Sequence, residues 1–141
     1  RYHAALMRSV WIGEPPSEAR RMMDCALRAL DAALDAIRPG RSCSVPHEAA
    51  QAIIDAAGYG SAFRKRIGYS MGIAIAPDWG EGGLLSLFTN VDRPIEPGMV
   101  FHLPATLRRY GAWTVGASET VIVTAHGAEP LSDLPRTLTL R

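Results

Sequence analysis

Four histidines, at positions 3, 47, 102 and 126, and one tyrosine set among glycines, Tyr69 in the string IGYSMG, are the side chains here best suited to handling protons. No two of the histidines stand at the spacing that puts metal ligands on one helix face. The sequence contains no His-Glu-x-x-His, no Gly-x-Ser-x-Gly and no phosphate-binding glycine loop, so the mechanisms those motifs carry have no foothold. His47 falls in the first turn of a helical pattern and His126 in a His-Gly turn, both places for a solvated imidazole. His3 and His102 fall in strand patterns beside bulky apolar neighbours, where a histidine is either a hydrogen-bonded structural residue or an acid or base. Tyr69 reads equally as a packed aromatic or a functional phenol. The glycines at 68, 72, 80, 82 and 83 mark strand ends and turns, or the close approach of a ligand. Asp78 and Trp79, after Pro77, form either an exposed turn or one wall of a pocket for a cation or amidine, through ring-face attraction and charge pairing. Glu119, at the head of ETVIVT, is most simply an exposed strand-end charge.

The elements that must position these groups follow from periodicity. RYHAALMRSVWIG, residues 1–13, reads as a strand closed by Gly13, and EPPS supplies a turn with a capping serine. From Ser17 the apolar residues Met23, Leu27, Leu30, Leu34 and Ile37 recur at helical spacing, predicting a helix of about twenty residues that ends at Arg38-Pro39-Gly40. Ser44 reads as the cap of a second helix with Pro46 in its first turn, an apolar face of Ala49, Ile53 and Ala57, and Gly58 as the stop. Residues 69–76, 99–103, 112–117 and 120–124 read as strands separated by glycine and proline. Strand, helix, helix, then several strands is the order of an α+β domain, an antiparallel sheet with helices on one face.

At 141 residues, 48% of them apolar, the chain can bury one core and not two. Fifteen basic against fourteen acidic residues give a net charge of +1, and the RKR run at 64–66 is the one basic cluster that stands out, so neither nucleic acid nor an anionic membrane is an expected partner. Cys25 and Cys43 make no disulfide framework and no zinc knuckle, which suits a reducing compartment. No apolar run is long enough for a membrane span and the start carries no signal segment; a cytoplasmic location is the expectation.

The ordered set RYHAALMRSVWIGEPPSEARR, IRPGRSCSV, AAGYGSAFRKRIGYSMGIAIAPDW, IEPGMVFHL and SETVIVTAHGAEPLSDLPRTL resembles the C-terminal catalytic domain of the pita-bread superfamily, which includes creatinase, Xaa-Pro dipeptidases, aminopeptidase P and methionine aminopeptidase. The resemblance implies a curved antiparallel sheet covered by helices, with residues 1–141 as the C-terminal part of one such domain and its earlier part expected upstream. In the metallopeptidases of this superfamily two divalent metals are held by two aspartates, one histidine and two glutamates and activate a water. Matched motif by motif, the first aspartate would lie upstream and the second falls on Ala5, with Arg8 aligned to the arginine of an Ile-Thr-Arg-Thr-like strand. The histidine falls on Tyr69, the first glutamate on Pro104 and the second on Ser118, one before Glu119. Alanine, proline and serine offer no strong ligand, and a phenol of pKa about 10 is a poor one near neutral pH.

RYHA, LMR, GYSMGI, PDWGE, VFHL and SETVIVT resemble most the metal-free ectoine hydrolase and creatinase branch. That implies a hydrolase cleaving a C–N bond of a small amidine or amide substrate with no metal and no cofactor, and a homodimer. On this reading His3 is a base or donor, Tyr69 donates to developing negative charge or orients a water, and His102 stands on the adjacent strand. Glu119 pairs with a cationic amidinium, and Tyr2, Asp78 and Trp79 bind substrate. An Xaa-Pro dipeptidase or aminopeptidase P-type metallopeptidase and a non-catalytic pita-bread binding domain are the alternatives.

Overall fold

In a computed structural model that describes residues 2–73 and 84–141, the helical periodicity is met: α1 spans Ser17–Ala36 and α2 spans Val45–Ala56. Asp78 and Trp79 lie outside the described residues. The buried stripe of α1 is built largely from small residues, Ala19, Ala26, Ala29 and Ala33, with Met22, Met23 and Leu30 between them, so the helix lies close against what it covers. It covers β4, Val100–Arg109, and β5, Trp113–Thr124, and α2 packs on α1.

The short strands β1 (Val10–Trp11), β2 (Gly68–Ser70), β3 (Ser86–Leu87), β6 (Gly127–Pro130) and β7 (Thr139–Leu140) complete the set. The main sheet is antiparallel in the order β3-β2-β4-β5-β6, and β1 pairs with β7 in parallel. Phe101, Leu103, Ala105 and Leu107 of β4 stand opposite Val121, Glu119, Ala117 and Val115 of β5, and all but Glu119 belong to the apolar core beneath α1. Alternation therefore assigns the odd positions of both strands to the helix-covered face and the even positions to the other.

Three expectations are corrected. Residues 1–13 do not form one strand: only Val10–Trp11 is regular, and the segment before it is held through isolated bridges from Tyr2 to Ile73 and from Met7 to Ser118. The strand expected over 99–103 runs on to Arg109 through Pro104. The Met71 N–H donates to Val100 O, so even positions of β4 turn their backbone groups toward β2. The β2 ladder stops at Tyr69 and His102, and the amide hydrogen that Pro104 lacks is not needed there. Finally, the strands expected over 112–117 and 120–124 are one strand running through Gly116, whose φ of +152° and whose approach to the Ala105 carbonyl leave no room for a Cβ.

Cys25 and Cys43 are both buried free thiols, raised above their ordinary pKa by burial, with nearby arginines opposing the shift. Among the described residues no helix is long and apolar enough to cross a membrane.

Candidate active site

Tyr69 on β2 pairs directly with His102 on β4, which puts both side chains on the face α1 leaves uncovered. Tyr69 Oη lies 2.8 Å from His102 Nδ1, and the rings meet edge to face with centroids 5.2 Å apart. The same register sets Thr120 opposite His102, Ser118 opposite Pro104 and Gly116 opposite Thr106. Thr120 Oγ1 accepts the Ala5 N–H at 2.9 Å and donates to Ala5 O at 2.7 Å, while the His3 N–H donates to Gly72 O at 3.0 Å. These bonds fold the N-terminal segment over the pair. Tyr2, His3 and Ala5 then line, with Tyr69, Met71 and His102, a cavity of about 400 Å³. A second cavity, of about 490 Å³, shares Tyr69 and is bounded by Lys65, Ser86, Phe88 and Pro104.

His102 is 6% exposed, and among the described residues its Nε2 has no partner; Thr106 Oγ1 and Ser118 Oγ, on the same face, are also buried without partners there. Buried polar atoms left open in this way are where a water or ligand atom binds. Burial first, and the positive charge of Lys65 second, hold the His102 pKa at about 4, so the imidazole is neutral at neutral pH. An unfolded histidine titrates near 6.5, so below that pH the unfolded chain binds a proton that folded His102 refuses. Stability is therefore lost as pH falls from about 6.5 toward 4, by about 3 kcal/mol from this group. Unfolding free energies at pH 7 and pH 4.5 should show a smaller loss in His102→Gln than in the parent chain; equal losses would remove His102 from the account.

Four of the sequence candidates, Tyr2, His3, Tyr69 and His102, are thus brought together, and Glu119 is not. It is 1% exposed in the middle of β5, and its Oε1 accepts a hydrogen bond from Arg8 Nη2 at 2.7 Å, with Arg136 Nε 3.8 Å away. Ser118 faces the cavity side, and one step along a strand reverses the face, so Glu119 stands with Leu103 on the other side of the sheet. His47 also departs from expectation: it is 5% exposed, with its ring 6.1 Å from Phe63 and 4.8 Å from Phe88. Burial lowers its pKa, against a weaker opposing pull from Glu48. Positions 47, 50 and 54 share one helix face, and that spacing was the signal available in the sequence. His126 is exposed in its turn, as expected.

The positions where the resemblance expects metal ligands do converge: Ala5 and Tyr69 line one cavity, Tyr69 and Pro104 the other, and Ser118 lies opposite Pro104. Their donors are one phenol, already tied to an imidazole, and one hydroxyl. Among the described residues no three His, Cys, Asp or Glu side chains gather to hold a metal ion. This donor set does not fit the two metals of the metallopeptidases.

The profile of metallopeptidase family M24 matches residues 1–125. The chain is 36% identical to ectoine hydrolase of Halomonas elongata over 98% of its own length and 34% of that protein's. It is equally 36% identical to an uncharacterized hydrolase/peptidase of Sinorhizobium fredii, over all of its length and 35% of that protein's. Among solved structures, the X-Pro aminopeptidase of Thermotoga maritima superposes with a TM-score of 0.85 at 26% identity, covering 96% of this chain and 37% of that one. The pita-bread fold is thereby established, and the chain spans about a third of the length of the curated relatives it matches.

Proposed function

The chain belongs to metallopeptidase family M24, and on that premise we propose that it carries part of a hydrolase site that opens a carbon–nitrogen bond of a small amidine or amide, ectoine being the leading candidate. The observation that carries this reading is the 2.8 Å Tyr69–His102 pair, standing where the family's metallopeptidases keep a metal-bound histidine. Two side chains that can exchange a proton suit a reaction in which a side chain, rather than a metal-bound water, handles the proton.

Hydrolysis of an amidine needs one group to take a proton from the attacking water and another to give one to the nitrogen that leaves. His3, lining the same cavity as Tyr69, takes the first role. With its single proton on Nδ1, neutral His102 donates to Tyr69 Oη and aims the phenol proton at the leaving nitrogen. Water oxygen becomes bonded to the carbon of the amidinium as His3 takes one of its protons; the C–N bond then breaks as the leaving nitrogen takes the phenol proton, the new hydroxyl becomes the amide carbonyl by giving its proton to the phenolate, and the His3 imidazolium releases its proton to solvent, where the freed amine takes it up. Glu119 takes no direct part: held by Arg8, it secures the segment that carries His3 and Ala5.

Incubating the full-length protein that contains this chain with ectoine, creatine and an Xaa-Pro dipeptide, each with and without chelator, tests the reading. Ectoine opening that survives chelator is the expected outcome. Proline release abolished by chelator would replace it with the peptidase reading.

A further inference from the structure

The cavity on the other flank of Tyr69 is bordered by three consecutive cations, Arg64, Lys65 and Arg66. Of the 15 Lys and Arg residues in the sequence, Lys65 is the one lysine. An arginine stays charged wherever it is put, whereas a half-buried ammonium responds to its surroundings. The surroundings of Lys65 are positive: Arg108, from the cavity face of β4, and Arg66 both repel it, and it in turn repels a proton from His102. None of the ion pairs among the described residues includes Arg64, Lys65, Arg66 or Arg108. The Arg66 guanidinium instead lies over the Tyr69 ring, 5.2 Å from its centroid. Burial and these like charges bring the Lys65 pKa down to about 8. Cations crowded round a cavity with no carboxylate paired to them among the described residues are an arrangement that an entering anion relieves.

We infer that this second cavity receives the carboxylate of the substrate, with Lys65 as its charge partner, while the bond to be broken lies across Tyr69 in the first cavity. The inference rests on the proposed function and narrows it to small molecules that carry a carboxylate beside the amidine or amide. The apolar edges of Phe88 and Pro104 at the same cavity suit an anion carried on a small organic molecule, with the Lys65 ammonium as a point charge for it.

In protein labelled with ¹³C-lysine, the side-chain resonance that is lost in Lys65→Met reports the titration of Lys65. Its midpoint should lie near 8 in the free protein and rise by about one unit with ectoine, in the same direction with acetate, and not with the carboxamide of ectoine, which lacks the negative charge. Lys65→Met should raise the KM for ectoine by about tenfold or more with kcat changed much less, and Lys65→Arg should recover most of the loss. A midpoint unmoved by both ectoine and acetate overturns the inference, and it does so even if ectoine is hydrolysed, in which case the proposed function stands alone. A shift with acetate and no hydrolysis of ectoine has the opposite meaning: the anion pocket stands and the proposed reaction falls. Inorganic phosphate as effective as acetate at equal concentration overturns the assignment to a carboxylate.

Discussion

Arg8→Met should lower the unfolding free energy by about 3–5 kcal/mol, a fall in Tm on the order of 10 °C. The size of the effect comes from what is left behind. Glu119 has a side chain 2% exposed, and with Arg8 gone its carboxylate keeps, among the described residues, only the Arg136 guanidinium 3.8 Å away. Removing one member of a buried pair leaves an uncompensated charge, which is the expensive way to break it. Arg8 also does more than pair: its guanidinium donates to the carbonyls of Met7, Ser118, Leu134 and Pro135, so it ties the N-terminal segment, β5 and the C-terminal segment together. The double variant Arg8→Met/Glu119→Met should be less destabilised than Arg8→Met, because it removes the stranded charge. Urea unfolding of the parent and both variants measures this. A loss below about 1 kcal/mol in Arg8→Met, in the range of an exposed ion pair, would show that Glu119 is satisfied in another way.

The second large effect is on turnover. Tyr69→Phe keeps the ring that packs edge-on against His102 and removes the one atom that hydrogen-bonds it. If Tyr69 delivers the proton to the leaving nitrogen, kcat on ectoine should fall by about 100- to 1,000-fold with little change in KM. Stability should fall by about 1–2 kcal/mol from loss of the hydrogen bond to His102, which leaves an open site on His102 Nδ1. Unchanged kcat would make Tyr69 a packing residue and withdraw the proposed chemistry. A kcat loss accompanied by a matching rise in KM would assign the phenol to substrate binding instead.

Local periodicity was enough to place α1 and α2, because a single apolar stripe is written in consecutive turns of each helix. It was not enough for β4 and β5. Pro104 argues against a central strand unless one knows that β2 has already ended beside it, and that is a fact about a residue more than thirty positions away. His47 was misjudged although its spacing to Ala50 and Ile54 put it on the buried face of α2; what that face meets, Phe63 and Phe88, is not written in the helix pattern. The cavity that joins His3, Tyr69 and His102 depends on Thr120 holding Ala5, a contact across 115 positions. The family resemblance supplied what periodicity could not, since matched motifs carry long-range pairing with them, and it put Ala5, Tyr69, Pro104 and Ser118 around one site. Its limit was Glu119, where proximity in sequence to an expected ligand suggested proximity in space. Lys65 lay in plain view in the RKR run, but its isolation from every described carboxylate is legible only in three dimensions.

The alternation along β5 has a consequence for how such a protein can change over generations. Gly116, Ser118 and Thr120 look toward the chemistry, while Ala117, Glu119 and Val121 are committed to the apolar core and the Arg8 clamp. A residue on the cavity face can therefore be exchanged while the adjacent residue keeps the domain folded. The two kinds of selection meet on neighbouring codons and hardly interfere.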